Sequence, residues 1–204
     1  MNSRNLLSNV PLVLLALLCI LFIHLVHQLT RDAIKENERR TALQDINEVI
    51  VHYYDNDIYN DMTVVTVPAS INPDGKLDIY FARHGNELQA MALLPVVAKG
   101  YSGPIKLIIG MNTDGSISGM RVISHRETPG FGAEVHQDKS DWLTMFRNTS
   151  LKRQSGQEWD IVRDGGKFDQ LSGATITSRA VINTVHELLI YYNEDPDRFY
   201  RVQE

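Results

Sequence analysis

The chain has 204 residues, a formal net charge of −5 and one cysteine, Cys19. A chain of this charge lacks the basic footprint that nucleic-acid binding needs, so we expect no nucleic-acid partner. A single cysteine cannot form an internal disulfide, and it predicts nothing about the redox compartment. The length predicts one domain with an appendage.

The first segment predicts a membrane anchor. Val10–Ile23 has no charged or strongly polar side chain, and Leu6–Val26 approaches the ~20 helical residues that cross a hydrocarbon core. A cleaved signal peptide is the competing interpretation, but no small-residue cleavage site follows the apolar run. We therefore expect residues 1–8 to form a short tail and residues 9–29 an uncleaved single-pass transmembrane helix.

The charges that flank this span leave its orientation open. Arg4 precedes the span, whereas Arg31, Lys35, Arg39 and Arg40 follow it. Counted literally, the positive-inside rule keeps the C-terminal side in the cytoplasm, although large domains can be translocated regardless of nearby charge.

Beyond the anchor, residues 30–60 predict a juxtamembrane helical segment and residues 61–204 a folded domain. Within the first of these, Thr30–Tyr54 is expected to be helical, since apolar residues recur at helical spacing and no glycine or proline occurs before Pro68.

Five β-branched and aliphatic runs in the domain predict a largely antiparallel meander, because turn sequences such as NPDG and NTDG separate them. The runs are Met62–Val67, Lys76–Ala82, Glu87–Val97, Ile105–Met111 and Ser116–Ser124. We expect a short helix within Asp138–Phe146 and an amphipathic helix over Ser178–Tyr192. Mixed elements without regular strand–helix alternation predict an α+β domain in which helices flank the sheet.

Hydrolytic and metal chemistry find little support in the sequence. There is no nucleophile elbow, no P-loop and no zinc spacing. A hydrolase that uses Ser172 lacks an identifiable base. His125 and Glu127 are expected to share a strand face, with His136 nearby, but two ligands on a strand are weak support for a metal. We predict no metal site and no independent catalytic constellation.

A run of small and hydroxylated residues, DQLSGATITSRAV, occupies Asp169–Val181. Its glycine allows close backbone approach, and Thr177 or Ser178 suits the N-cap of the following helix. Thr175 then stands just ahead of a helix N-terminus, where free N–H groups favour a phosphate and Arg179 adds a cation. An ordinary capped turn is the alternative, which composition alone favours.

A second stretch, SHRETPGFGAE at Ser124–Glu134, follows a predicted strand. Its glycines around Phe131 predict a loop able to wrap a flat ring. The side chains or backbone expected to contact that ring belong to His125, Glu127, Thr128 and Gly130. A well-ordered surface loop is the alternative.

With these stretches in view, the chain resembles the FMN-binding domain family of membrane-bound redox complexes, in particular the G subunits of Rnf or Rsx ion-translocating electron transport complexes. The likeness covers nearly the whole chain and rests on S-G-A-T-x-T, H-x-E-T-P-G and GYSGPIKLIIGMNTDGSISGMRV. It implies one FMN, which a dedicated flavin transferase takes from FAD and joins through its phosphate to the threonine of S-G-A-T, here Thr175. Residues implied to complete that element are Asp169, Ser172, Gly173 and Ala174, and Thr177 is also expected to bind the cofactor.

The same resemblance implies an electron-transfer subunit of a complex that couples electron flow to ion translocation. Its implied partners are the other subunits of that complex, and its implied place is the bacterial inner membrane with the domain on the periplasmic side. The alternative function is a membrane-tethered assembly or binding module without cofactor.

Overall fold

A computed structural model describes residues 10–200 of the chain, so the predicted tail at residues 1–8 lies outside the described residues. The chain divides into two compact units, one that ends at Ala42 and one that begins at Leu43. The predicted domain boundary at residue 61 therefore differs from the start of the second unit.

Helix α1 extends over Val10–Val49, and its part Pro11–Val49 is long and apolar enough to cross a membrane by length and composition. The candidate N-terminal membrane helix is thus confirmed, while its limits at residues 9–29 stay a prediction. The helix ends at Val49 and not at Tyr54 as predicted. The Val49 carbonyl, which a longer helix would bond to the Tyr53 N–H, accepts a hydrogen bond from the Ser118 hydroxyl at 2.6 Å.

Five strands form one antiparallel sheet in sequence order, as the meander prediction requires. They are β1 Met62–Thr66, β2 Lys76–His84, β3 Glu87–Lys99, β4 Pro104–Asn112 and β5 Ile117–Ser124. Each predicted run is confirmed with ends that differ by at most two residues. Strong β propensity and clear turn residues therefore define the sheet locally.

Helix α2 covers Thr175–Glu194, so it begins three residues earlier than predicted. The short helix expected within Asp138–Phe146 is a 3₁₀ helix at Trp142–Phe146. Four further 3₁₀ helices are described, at Gly132–Val135, Gly156–Glu158, Val162–Asp164 and Pro196–Phe199.

Both faces of the sheet are buried, which confirms the α+β class. Alternate residues of β2 reach opposite faces, with Ile79 and Phe81 on one side and Tyr80 and Ala82 on the other. The first face packs against α2 and the 3₁₀ helices. The second face packs against the last turns of α1, which explains why the second compact unit begins at Leu43.

The end of α1 packs directly against two glycines of the sheet. We call the residues of this contact the helix dock: Val49, Gly110, Ser118 and Gly119. Gly110 and Gly119 are partners across β4 and β5. A Cβ atom at Gly110 would collide with the Val49 carbonyl oxygen, and one at Gly119 would make a tight contact of 3.0 Å with the Val49 backbone. Beside the dock, Arg121 forms ion pairs with Asp45 and Glu48 of α1.

Candidate functional site

A cavity of about 500 Å³ lies where the loop after β5 meets the start of α2. Its lining residues are Tyr101, Glu127, Thr128, Phe131, Gly132, Gly173, Ala174, Thr175, Ile176 and Thr177. Six of the nine predicted site residues are among them: Glu127, Thr128, Gly173, Ala174, Thr175 and Thr177. The fold therefore brings the two motifs together around one space.

The other three predicted site residues lie elsewhere. Ser172 is exposed in the turn before α2 and does not line the cavity. His125 and Gly130 line a neighbouring cavity of about 600 Å³ that shares Glu127. Among residues 10–200, no cluster of three or more His, Cys, Asp or Glu side chains could hold a metal ion.

The predicted strand face shared by His125 and Glu127 is wrong, because β5 ends at Ser124. The chain turns there, and the backbone N–H of Glu127 donates to His125 Nδ1 at 3.1 Å. This turn directs the Glu127 side chain into the interior, where the residue is only 5% exposed.

The N-cap prediction for α2 is also wrong. Ala174 is the N-cap residue and supplies no side-chain hydrogen bond, and Thr175 is the first helical residue. Thr177 and Ser178 lie inside the first turn, where the Ser178 hydroxyl donates to the Ala174 carbonyl at 3.0 Å and accepts from the Leu171 N–H at 2.9 Å. The start of α2 therefore has no side-chain hydrogen bond from its N-cap residue.

Thr175 itself is half-buried at the cavity, and its hydroxyl donates to Gln170 Oε1 at 3.0 Å. Arg179 does not supply the cation that was predicted for this site. Its guanidinium bonds to Asp164, with Nε at 3.0 Å from Oδ2, and lies 3.9 Å from an oxygen of Asp160. Its charge is therefore engaged by the neighbouring acidic 3₁₀ turn.

The Glu127 carboxylate joins three segments of the cavity wall. Oε1 accepts from the Ser102 N–H at 2.8 Å, and Oε2 accepts from the Thr177 hydroxyl at 2.6 Å. A Cβ atom at Gly100 or Gly132 would collide with one of these oxygens. The two glycines therefore provide the space that the carboxylate occupies.

Exposed apolar side chains form the outer part of the cavity. Tyr101 is 73% exposed, Phe131 55% and Ile176 54%. Gly173 has a φ of +69°, and a Cβ atom there would lie 2.7 Å from Phe131 Cδ1, so this glycine seats the Phe131 ring. Sequence reasoning did not select these three side chains as contacts; the glycines on either side of Phe131 were the available signal.

A tryptophan supports the segment that leads into α2. Trp142 Nε1 donates to the Asp169 carbonyl at 2.6 Å. The residue is only 7% exposed, so this hydrogen bond fixes the beginning of the small-residue run from the interior. Asp169 thus contributes through its backbone in the described structure.

Comparison with known proteins matches residues 10–49 to the RnfG N-terminal region and residues 100–190 to the FMN-binding domain. The G subunit of the ion-translocating oxidoreductase complex of Vibrio atlanticus is 38% identical over 83% of this chain and 81% of its own length. The protein of the same name from Shewanella oneidensis is 33% identical over 95% of this chain and 92% of its own length. The chain belongs to the family of G subunits of ion-translocating oxidoreductase complexes. The resemblance seen in the sequence is thereby confirmed.

The regions matched to this family coincide with the elements described above. The RnfG N-terminal match at residues 10–49 has the limits of α1. The FMN-binding match at residues 100–190 contains every residue that lines the cavity. The cavity is therefore the natural candidate for the flavin site.

Proposed function

We propose that this chain is an electron-transfer subunit of an ion-translocating oxidoreductase complex and that it carries one FMN covalently at Thr175. The observation that supports this most is the position of the Thr175 hydroxyl. It belongs to a residue that lines the cavity built by both motifs, within the region that matches the FMN-binding domain.

Among the hydroxyl groups of the run Asp169–Val181, that of Thr175 is the best suited to modification. Thr177 is 1% exposed and its hydroxyl is bonded to Glu127. Ser178 is fully buried and is bonded on both sides within the turn. Ser172 is exposed but does not line the cavity. The Thr175 hydroxyl is accessible and has only the side chain of Gln170 to leave.

The start of α2 suits a phosphate attached to this residue. Thr175 is the first residue of a 20-residue helix whose N-cap supplies no side-chain acceptor. Free N–H groups and the helix dipole stabilise a phosphate at such a position. In the maturation step, Thr175 Oγ1 forms a bond to the FMN phosphorus of FAD, the phosphoanhydride bond breaks, AMP leaves and the hydroxyl proton is released. A flavin transferase is the proposed catalyst.

The shape and lining of the cavity suit a planar ring. About 500 Å³ is within the 300–1,000 Å³ typical of cofactor sites. Tyr101 and Phe131 expose aromatic surface there, since the two residues are 73% and 55% exposed. When bound, FMN accepts and donates electrons, while the chain supplies position, polarity and control of solvent access.

The remaining parts of the proposal follow from family membership. We place the domain at residues 61–204 on the periplasmic side of the bacterial inner membrane, anchored by α1. Its partners are the other subunits of the complex, and its electrons move within that complex as ions cross the membrane. His125 and Gly130 are proposed to border the site from the neighbouring cavity, and Ser172 to belong to the element that the transferase recognises.

The test is the intact mass of the full chain, purified in detergent after co-expression with a flavin transferase. We expect a gain of one FMN minus one water, with the modified peptide mapped to Thr175. Thr175→Ala should abolish the gain, whereas Thr113→Ala, at an exposed threonine outside the cavity, should keep it.

The same measurement decides against the alternative of a cofactor-free assembly module. That alternative predicts the bare mass for the wild-type chain even with the transferase active. A Thr175→Ala protein that still carries covalent flavin would overturn the assignment of the attachment residue.

A further inference from the structure

Glu127 places a charge with no counter-ion in the wall of the proposed flavin cavity. The residue is 5% exposed, and it lines the same space as Thr175. Its two oxygens accept from neutral donors, the Ser102 N–H and the Thr177 hydroxyl. Within residues 10–200, no lysine, arginine or histidine forms an ion pair with this carboxylate.

The fold is built to retain this charge. Burial of a carboxylate without a counter-ion is costly, and buried charges are normally paired. Yet Gly100 and Gly132, on two different loops, lack the side chains that would displace it. Two arginines near the motifs are placed otherwise: Arg179 is bonded to Asp164, and Arg126 is exposed beside Gly103.

We propose that the Glu127 carboxylate lowers the reduction potential of the flavin held at Thr175, an inference that rests on the function proposed above. If FMN is bound there, its reduction would add negative charge to the ring until protons follow from solvent. A fixed negative charge in the same cavity opposes that addition, and partial burial strengthens the repulsion relative to water. The oxidised flavin is thus favoured.

The substitution Glu127→Gln removes the charge and keeps the shape. The glutamine carbonyl accepts from the Ser102 N–H, and its amide donates to the Thr177 hydroxyl, which can accept as well as donate. The experiment is a dithionite titration, with redox dyes, of the full flavinylated chain in detergent. We expect the midpoint potential of Glu127→Gln to shift to a more positive value.

The matched control is Glu134→Gln, which removes one negative charge from the adjacent 3₁₀ helix. Glu134 lines the neighbouring cavity and not the one that contains Thr175. Its substitution should leave the midpoint close to that of the wild type. An unchanged midpoint in Glu127→Gln, or an equal shift in both variants, would overturn the proposal.

Two further variants separate charge from contact. Glu127→Asp keeps the charge but shortens the side chain, so its midpoint should stay nearer to the wild type than that of Glu127→Gln. Thr177→Val keeps the shape of threonine and removes a neutral donor but no charged group, so its midpoint should shift by less than that of Glu127→Gln. A shift in Thr177→Val as large as that of Glu127→Gln, or, where Glu127→Gln fails to fold, a midpoint of Glu127→Asp more positive than that of Thr177→Val, counts against the proposal.

The mass at Thr175 and the thermal midpoint of unfolding are measured on each sample before titration. If the wild-type chain carries no flavin at Thr175, the proposed function fails and this inference falls with it. If flavin is present and the proteins are equally stable, but the midpoint potential does not change when the charge at Glu127 is removed, only the inference fails.

Discussion

The helix dock and the flavin cavity both depend on glycine, but they use the missing side chain differently. At the dock, the backbone of Val49 fills the space above Gly110 and Gly119. At the cavity, the carboxylate of Glu127 fills the space beside Gly132, and the Phe131 ring that beside Gly173, while about 500 Å³ stays open. Where a glycine faces backbone atoms, two segments pack closely and cannot shift. Where a glycine faces a side chain from a loop, that side chain can move and the site can adjust.

The two regions also differ in what holds them. The dock is built on β4 and β5, whose ladder fixes Gly110 opposite Gly119. The cavity is built from loops tied by hydrogen bonds between side chains and backbone, such as those of Glu127 with the Ser102 N–H and of Trp142 with the Asp169 carbonyl. Loops carried by a rigid scaffold are where binding residues concentrate.

The strongest test of this comparison is Gly110→Ala at the dock. The new Cβ atom would collide with the Val49 carbonyl oxygen, a rigid backbone atom, so the end of α1 must move. Overpacking of this kind costs up to about 3 kcal/mol, which lowers the unfolding midpoint by about 6–12 °C. Thermal unfolding of the full chain in detergent measures it.

The matched control is Gly156→Ala. An added Cβ at Gly156 meets nothing within 4 Å, and its φ is not positive. This variant should stay within about 0.5 kcal/mol of the wild type. A Gly110→Ala protein as stable as the control would mean that the dock is not closely packed.

Much of the fold follows from local sequence, while the ends of both helices do not. Strands were predicted from β-branched and aliphatic runs separated by turn residues, and their limits differ from the structure by at most two residues. Helix α1 ends at Val49, whose carbonyl accepts a hydrogen bond from the Ser118 hydroxyl, 69 residues away in sequence. Helix α2 begins at Thr175 because Thr177, a good N-cap by type, bonds instead to Glu127. Tertiary hydrogen bonds outweigh capping preference at both places.

The site shows the same limit. Residues of both motifs line the cavity, and the sequence could predict them because small residues before a helix N-terminus are typical of a phosphate site. Tyr101 and Ile176 carried none, since an aromatic or aliphatic side chain becomes notable only when the fold leaves it exposed. The prediction that Arg179 supplies a cation to the site failed because the arginine bonds to Asp164, which lies in a turn that the sequence did not predict.

A smaller effect distinguishes the support of the cavity from general core packing. Trp142 Nε1 bonds to the Asp169 carbonyl, whereas the buried Trp159 Nε1 has no hydrogen-bond partner among the described residues. Both substitutions to Phe remove similar volume, but only Trp142→Phe breaks a hydrogen bond. We expect Trp142→Phe to be less stable than Trp159→Phe by about 1–2 kcal/mol, measured as the thermal midpoint.

The same pair has a functional readout. Trp142→Phe loosens the start of the segment that presents Thr175, so its yield of covalent flavin should fall relative to Trp159→Phe under equal co-expression. Equal yields would show that the interior hydrogen bond at Asp169 does not hold the cavity in shape.

The smallest expected effect concerns pH. His186 of α2 stacks on Trp159 with ring centroids 5.1 Å apart, and burial lowers the pKa of its imidazole below the usual value near 6.5, with Glu187 opposing the shift. The unfolded chain then binds a proton more readily than the folded one. The stability that neutral His186 contributes is therefore present above about pH 6.5 and is lost as pH falls towards its folded pKa.

Lowering the pH from about 7.5 to about 5.5 should accordingly reduce the thermal midpoint by less in His186→Gln than in the wild type. His52→Gln is the control, because His52 is exposed in the loop that follows α1. The nearby residues of the helix dock have no titratable side chain. Its pH profile should match that of the wild type. If His186→Gln also matched the wild type, the loss of stability in acid would have to come from groups other than this half-buried imidazole.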